Sequence, residues 1–499
     1  MEKIKDFISG KEVKAGPEEI QGTQPFSKIL VQDYGYPKEV IQTRPQYRTP
    51  RRPSDEDGSY PVDIAVFKNR SKSDDGLLMI VECKKRDEET GVRELKQYLK
   101  LSDAQVGVWY NGIKSRYIHK KIAKNGIVFV ELPDIPLFGQ GISDIGTQTK
   151  KTLKPAKNLK VVFKNVRAHI AGNATGTSRD EPIVSNMINI IFSKIYDERF
   201  TEPDALLEFR VSNDESDKEV EKRIKRLFNN VKRKYSDVFT ETDEITLDSS
   251  TLKYVVGKLQ IFSFIDSEKD TVAEAFEGIM GKTLKGEEGQ FFTPRNVVAL
   301  MVRLAGISSD SLVIDPACGT GGFLTEVLKE KWRQIDLKGE RLRWSKDTLK
   351  DEKNHSAIKT IFGIEKDNFL AKIAKAYMAL LGDGRGSIHK DNSLKQPNKW
   401  HNKTKTDIQL NKFDFVFTNP PFGEDIKVDS EDILSQYELA RGGKNNKLKK
   451  EVRPDILFLE RCINLAKDGG KVGIVLIETY LHGKNAKPIR DFLSKHNIL

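Results

Sequence analysis

Two stretches constrain this chain more than all the rest of it. In LVIDPACGTGGFL (Leu312–Leu324) an apolar run leads into Asp315 and a turn carrying Gly319, Gly321 and Gly322. That is the arrangement by which a parallel sheet brings bare backbone up to a ligand at its carboxyl edge. In FDFVFTNPPFG (Phe413–Gly423) a second apolar run ends in Asn419, Pro420, Pro421 and Phe422. The Asn419 side-chain oxygen and the Pro420 carbonyl are two hydrogen-bond acceptors, and Phe422 adds an aromatic face, a set suited to a planar group bearing an amine. The pair predicts an α/β domain with its chemistry at the carboxyl ends of its strands.

In that order the two motifs resemble the S-adenosylmethionine-dependent DNA methyltransferases that modify exocyclic amino groups. The resemblance implies that adenine, flipped from the duplex, stacks on Phe422 while its amino group donates to Asn419 and Pro420. Those two bonds localise the nitrogen lone pair, which positioning and electrostatics then turn on the methyl group. It also implies cofactor contacts from Asp315, Gly319, Thr320, Gly321 and Gly322, and from Glu365 at the end of IFGIEKD, where an acid accepts ribose hydroxyls. Glu365 lies further on than the usual roughly 20 residues, because a charged stretch from Lys331 to His355 intervenes. Asp391 in SIHKDNSL is expected to accept from the cofactor's adenine. Gln290, Phe292, Thr293 and Pro294, in GQFFTPRNVV, are expected to close over its methionine end; Pro294 also reads as the start of a helix.

A second constellation lies near the amino terminus. PVDIAVF (Pro61–Phe67) and LLMIVECKK (Leu77–Lys85), separated by a polar loop, read as a hairpin. Asp63 belongs to its first strand, and Glu82 and Lys84, two apart on the second, share a face. Carboxylates on neighbouring strands suit magnesium, with the lysine holding or activating the attacking water. The D…ExK pattern resembles the PD-(D/E)xK nuclease superfamily, and its surroundings, GYPKEV and VGVWYNG, resemble the amino-terminal domain of type I restriction subunits. One departure is Glu94 at the position where that family often has Gln ahead of Tyr98. Glu19 of the first helix is a candidate to complete the site.

The chain has 499 residues, 37% hydrophobic, and a formal net charge of +11, which suits a polyanion such as double-stranded DNA and says nothing of fold. Cys83, Cys318 and Cys462 lack metal spacing and read as buried residues of a reducing compartment. No signal peptide or membrane span is read, so a cytoplasmic, prokaryotic setting without membrane contact is expected. GIMGKTLKG fails as a phosphate loop because Phe276 stands where glycine is required, which separates the chain from ATP-driven restriction subunits.

The expected organisation is α/β throughout. A nuclease-like domain spans 1–145, a linker 146–158, a helical domain 159–288 and a Rossmann-like methyltransferase domain 289–499, which lacks its last strands. In the helical region Met187, Ile190, Ile191 and Ile195 fall on one helix face, and Val220, Ile224, Leu227 and Val231 on another. Ser430–Pro454 is polar and expected to be a mobile loop. A separate specificity subunit and an oligomer are the partners expected beside DNA. Three readings stand: adenine methylation joined to magnesium-dependent cleavage, methylation with an inactive nuclease-like domain that only grips DNA, and a non-catalytic DNA-binding subunit.

Overall fold

The structure is a computed structural model that describes residues 2–50, 59–124, 126–174, 180–267, 275–276, 278, 293–381, 387–423, 426–442, 445–483 and 486–496. Gln290, Phe292 and the stretch 281–286 tested as a phosphate loop lie outside the described residues. The chain divides into two compact units, Met1–Arg233 with Glu244–Ile279, and Lys234–Asp243 with Met280–Leu499.

The first unit is built on a six-stranded sheet of β1 (Ile41–Gln42), β2 (Ile64–Phe67), β3 (Leu77–Cys83), β4 (Val106–Tyr110), β5 (Ser115–Ala123) and β6 (Gly126–Leu132), which lie side by side in chain order. All pairs are antiparallel except β3 with β4. A parallel pair needs a crossover, supplied here by α2 (Val92–Lys100). Its Leu95 and Leu99 bury against Ala65, Phe67, Ile80 and Ile118 in one apolar cluster. Ahead of the sheet runs α1 (Gln24–Gln32), entered through a π-helical turn at Glu19–Thr23.

Four longer helices complete this unit: α3 (Leu159–Asn173), α4 (Asp180–Phe200), α5 (Asp217–Lys234, whose last residue falls to the second unit) and α6 (Ser249–Leu259). The apolar face read on α5 is buried as expected. On α4 the expected single face is too narrow. Val184, Ile188 and Phe192 are buried as well, and so are Lys194 and Glu198, which pair at 3.2 Å. A helix covered on all sides must satisfy its charges internally, and Glu198 does so further by accepting the backbone N–H groups of Phe264 and Ile265. The segment between sheet and helices is anchored too, through buried Ile145 and Ala156 and a short parallel pairing of Lys154–Pro155 with Phe262–Ser263.

The second unit holds a five-stranded sheet, entirely parallel, with β7 (Val313–Asp315) at its centre. On one side lie β8 (Ile361–Glu365) and β9 (Ile388–Lys390), and on the other β10 (Phe413–Thr418) and β11 (Ala466–Ile474). The strand order is therefore 9-8-7-10-11, and the direction of winding reverses between β7 and β10. Such a reversal opens a crevice at the carboxyl ends of the two strands that flank it. Around the sheet lie α7 (Arg295–Ala305), α8 (Gly322–Leu342), α9 (Lys346–Lys359), α10 (Asn368–Leu381) and α11 (Pro454–Leu465). The charged stretch before β8 is thus the far part of α8 together with α9, which pack on each other; Gly339 of α8 lies against Leu349 of α9.

One expectation changes. Ser430–Pro454 is packed, because Leu434, Tyr437, Ala440 and Val452 bury into one cluster with Leu457 and Phe458 of α11. Its polar composition belongs to the residues between those anchors. In β11 the strand begins before the Gly-Gly pair, and Phe413 pairs with Ala466 while Phe415 pairs with Lys471, so the pair forms a bulge inside the strand.

Candidate functional site

At the crevice of the second unit four of the five strands contribute from their carboxyl ends. Asp315 closes β7, is 2% exposed, and its Oδ1 accepts Thr418 Oγ1 at 2.7 Å and the Ala317 N–H at 3.0 Å. Burial pushes its carboxyl up to about 7, against those two hydrogen bonds and with Glu365 adding repulsion. The Thr418 bond ties the end of β7 to that of β10, one residue before Asn419. Nothing in the local sequence pattern marks Thr418 for this.

Glu365 closes β8. One of its oxygens accepts the Gly319 N–H at 2.9 Å and the other the Asp367 N–H at 2.9 Å, so this acid also shapes the glycine turn. Burial raises its pKa too. The three glycines divide the work. A Cβ on Gly319 or Gly322 would meet no atom within 4 Å, which marks open space in front of the turn. Gly321, with φ of +86°, would point its Cβ at Ala374 of α10, 3.5 Å away, so it serves the turn and the helix packing behind it. Gly319 and Gly322 therefore form the face that a ligand would approach, a cradle a Cβ would fill. Thr320 between them is buried.

Asp391 follows β9, where its Oδ2 accepts both the backbone N–H of His401 at 2.7 Å and His401 Nδ1 at 3.0 Å, and its Oδ1 accepts the Asn392 N–H at 2.9 Å. It is thus clamped by a residue that no sequence pattern singles out. Thr293, half-buried, and Pro294, exposed, lead directly into α7, whose first residue Arg295 donates to Tyr377 Oη of α10 at 3.1 Å. Beyond β10, Asn419 is half-buried, Pro420 buried, and Pro421 and Phe422 half-buried.

The acid cluster of the first unit has another character. Asp63 stands just ahead of β2, and its Oδ2 accepts the Cys83 N–H at 2.7 Å. Glu82 is 7% exposed, and its Oε1 accepts Lys84 Nζ at 2.7 Å, as their shared face requires. Burial, with repulsion from Asp63, pushes Glu82 up to about 7; burial and repulsion from Glu18 push Asp63 up to about 6. Burial pulls the Lys84 ammonium down, but Glu82 outweighs it and holds the pKa above the ordinary lysine value.

The first helix supplies a different acid from the one expected. Glu19 is taken up by Arg44 and Gln24, both at 2.6 Å, whereas its neighbour Glu18 stands 3.9 Å from Lys84. Tyr98 of α2 lies within electrostatic reach of Glu82, Lys84 and Glu94. Gly91, with φ of +100°, is the residue sequence reasoning missed: a Cβ there would come within 2.8 Å of Lys84 Cε and 3.4 Å of Glu82 Cγ. Its bare backbone makes room for the lysine. Among the described residues no group of three or more His, Cys, Asp or Glu side chains is placed to hold a metal. The two acids Asp63 and Glu82 do fit the one or two carboxylates on which magnesium is commonly held, since a cation between them would offset their repulsion.

With this geometry in hand, comparison with known proteins is informative. Residues 267–499 match the family model described as N-6 DNA Methylase. This part of the chain is similar to that family. Upstream of the methylase, residues 17–136 match a second model, the type I restriction enzyme R protein N terminus. Among curated proteins, the chain is 26% identical over 255 residues to the type II restriction enzyme and methyltransferase RM.BcgI of Heyndrickxia coagulans, covering 50% of this chain and 34% of that protein. It is 28% identical over 266 residues to the type I restriction enzyme EcoEI methylase subunit of Escherichia coli, covering 52% and 46%. The chain thus spans between a third and a half of the length of these relatives. A solved methyltransferase subunit of a type I restriction-modification system from Streptococcus thermophilus aligns with a TM-score of 0.44, at 16% identity over 69% of this chain and 79% of that one.

Proposed function

We propose that the methylase unit transfers a methyl group from S-adenosylmethionine to the exocyclic amino group of adenine in DNA, and that the first unit cleaves DNA with magnesium. The observation that carries the first part is the tie between Asp315 and Thr418. It sets the glycine turn and the NPPF turn side by side at the one crevice where the sheet reverses. Gly319 and Gly322 leave the space for the cofactor, and Glu365 and Asp391 stand at the ends of the next two strands to accept from it. When bound, the cofactor supplies an electrophilic methyl group on a sulfonium. The amino group donates to Asn419 Oδ1 and the Pro420 carbonyl, which localises its lone pair, while Phe422 stacks on the base.

In the first unit Asp63 and Glu82 would hold magnesium, and Lys84, kept as an ammonium by Glu82, would orient the attacking water. We keep the division at 1–145, 146–158, 159–288 and 289–499 as the functional reading of the chain. DNA is the substrate, and a separate specificity subunit would supply target recognition. A second reading, in which the first unit only grips DNA, differs solely in the state of the Asp63–Glu82–Lys84 cluster.

The deciding experiment is Asn419→Ala. Methyl transfer to DNA should fall by roughly 10²–10³-fold, as for removal of one preorganised hydrogen-bonding group, while S-adenosylmethionine affinity by calorimetry stays unchanged. Turnover near that of the parent protein would refute the role of the NPPF turn.

A further inference from the structure

The first unit contains a cavity of about 600 Å³ between β5 and the helices α3 and α6, used by neither activity proposed above. Its lining carries four basic residues, Lys114, Arg116, Lys253 and Lys258, and three acids. Three of the cations pair with the acids: Lys114 with Glu89, Arg116 with Glu131 at 2.8 Å, and Lys253 with Asp217 at 2.9 Å. The fourth, Lys258, has neutral hydrogen-bond partners. It donates to Ser115 Oγ at 2.6 Å and Tyr117 Oη at 2.5 Å, and lies 4.0 Å from the Tyr117 ring centre and 5.4 Å from that of Tyr254. On Tyr254 stacks His169, with centroids 3.5 Å apart and planes within 11°.

The lining cations outnumber the lining acids by one, with Asp134 in electrostatic reach of Lys258. Burial, then Lys258 and Lys114, hold the His169 imidazole down at about 4, so it is neutral and presents a flat ring. Burial lowers the Lys258 ammonium to about 8, with Asp134 working against that shift. The volume is that of a site for a small organic ligand, well beyond a single ion. A cavity with one ammonium hydrogen-bonded to hydroxyls alone and an aromatic pair in its wall matches an anion attached to a planar ring.

We infer that this cavity binds a nucleotide, with its phosphate at Lys258 and its base against the His169–Tyr254 stack. The nucleotide is either free or part of a single strand, and the chemistry is the same in both cases. The bland reading is that Lys258 only satisfies Ser115, Tyr117 and buried Asp134. The inference does not depend on methylation or cleavage. Its probe should carry no adenine, so that the methylase crevice does not answer in its place.

The test is calorimetric titration of the full chain in EDTA with thymidine monophosphate and with a thymidine hexanucleotide, alongside Lys258→Met and Ser250→Trp, the latter filling the exposed rim. Expected is one saturable site per chain, weakened roughly ten- to a hundredfold by Lys258→Met and by Ser250→Trp, and unchanged by Lys84→Ala. Binding of the monophosphate assigns the cavity to a free nucleotide; binding of the hexanucleotide alone assigns it to a strand. If neither probe binds, or if both variants bind like the parent, the inference is overturned. Should Lys258→Met fail to fold, the Ser250→Trp result decides.

Discussion

Each unit keeps a pair of buried or half-buried acids at strand ends, and the two pairs differ in what offsets their charge. Asp315 and Glu365 are met by a threonine hydroxyl and backbone N–H groups, neutral donors that fix geometry. Asp63 and Glu82 repel each other, with one lysine bonded to Glu82 and a further acid, Glu18, 3.9 Å from that lysine. The first pair is built to accept hydrogen bonds from a neutral polyol or amine. The second is under-neutralised and gains from a cation. The same residue types thus reach different chemistry through what surrounds them.

If that contrast is right, the units separate cleanly under mutation, and the largest effect comes from Lys84. Lys84→Ala should lower magnesium-dependent cleavage by about 10²–10³-fold, the range for removal of one preorganised hydrogen-bonding group. Methyl transfer should be untouched. Plasmid nicking and tritium transfer, run on one preparation, read both. Cleavage that persists in this variant assigns any nuclease elsewhere, and a parent protein that never cuts with magnesium favours the gripping role.

How much of this was legible in the sequence follows from the length scale of each feature. Strands β7, β8 and β10 are buried in a parallel sheet, so they read as continuous apolar runs between turns. The shared face of Glu82 and Lys84 followed from the period of a strand alone. Thr418 and His401 act through contacts across the fold that leave no local mark. Glu19 is taken up by Arg44, 25 residues on in the chain, a contact that the local sequence does not mark. Ser430–Pro454 misled because its composition reports the exposed majority, while buried residues such as Leu434, Tyr437, Ala440 and Val452 fix its course. Gly91 was visible only as one glycine among 36 until the lysine beside it was placed.

A smaller effect is expected at Phe422. Its ring is a stacking surface, so Phe422→Ala should weaken capture of the flipped base by about 1–3 kcal/mol. That loss should appear in the DNA concentration for half-maximal methylation and spare cofactor affinity. An effect no greater than that of an exposed substitution removes Phe422 from the site.

The under-neutralised pair can be probed by pH. Carboxyls whose pKa is raised to about 6 and about 7 in the folded state stabilise it fully below their unfolded values, and that contribution is lost as pH rises through the folded ones. Magnesium needs the ionised forms and should restore what is lost. The parent protein should therefore gain about 1–3 kcal/mol from magnesium at ten- to a hundredfold its Kd at pH 8, and almost nothing at pH 5. Asp63→Asn should gain little at either pH. Thermal unfolding with and without the metal checks this, and an equal gain at both pH values rules the pair out as its ligands.

The finest test concerns two neighbouring glycines. Gly322 opens α8 with its would-be Cβ in empty space, so Gly322→Ala should keep or raise stability, by up to about 1 kcal/mol, through a less flexible unfolded chain. The same methyl group enters the cradle and should weaken S-adenosylmethionine roughly tenfold, about 1.4 kcal/mol. At Gly321 the order reverses: Gly321→Ala puts a side chain in the left-handed region, a cost of about 1–2 kcal/mol, and presses it toward Ala374 rather than the ligand. Stability should then fall and affinity, measured on the protein that remains folded, should change less than at Gly322. Paired calorimetry and thermal melts give all four numbers. If Gly322→Ala leaves affinity intact, the open space in front of the turn is not where the cofactor lies, and the contrast between a ligand-facing and a fold-facing glycine fails.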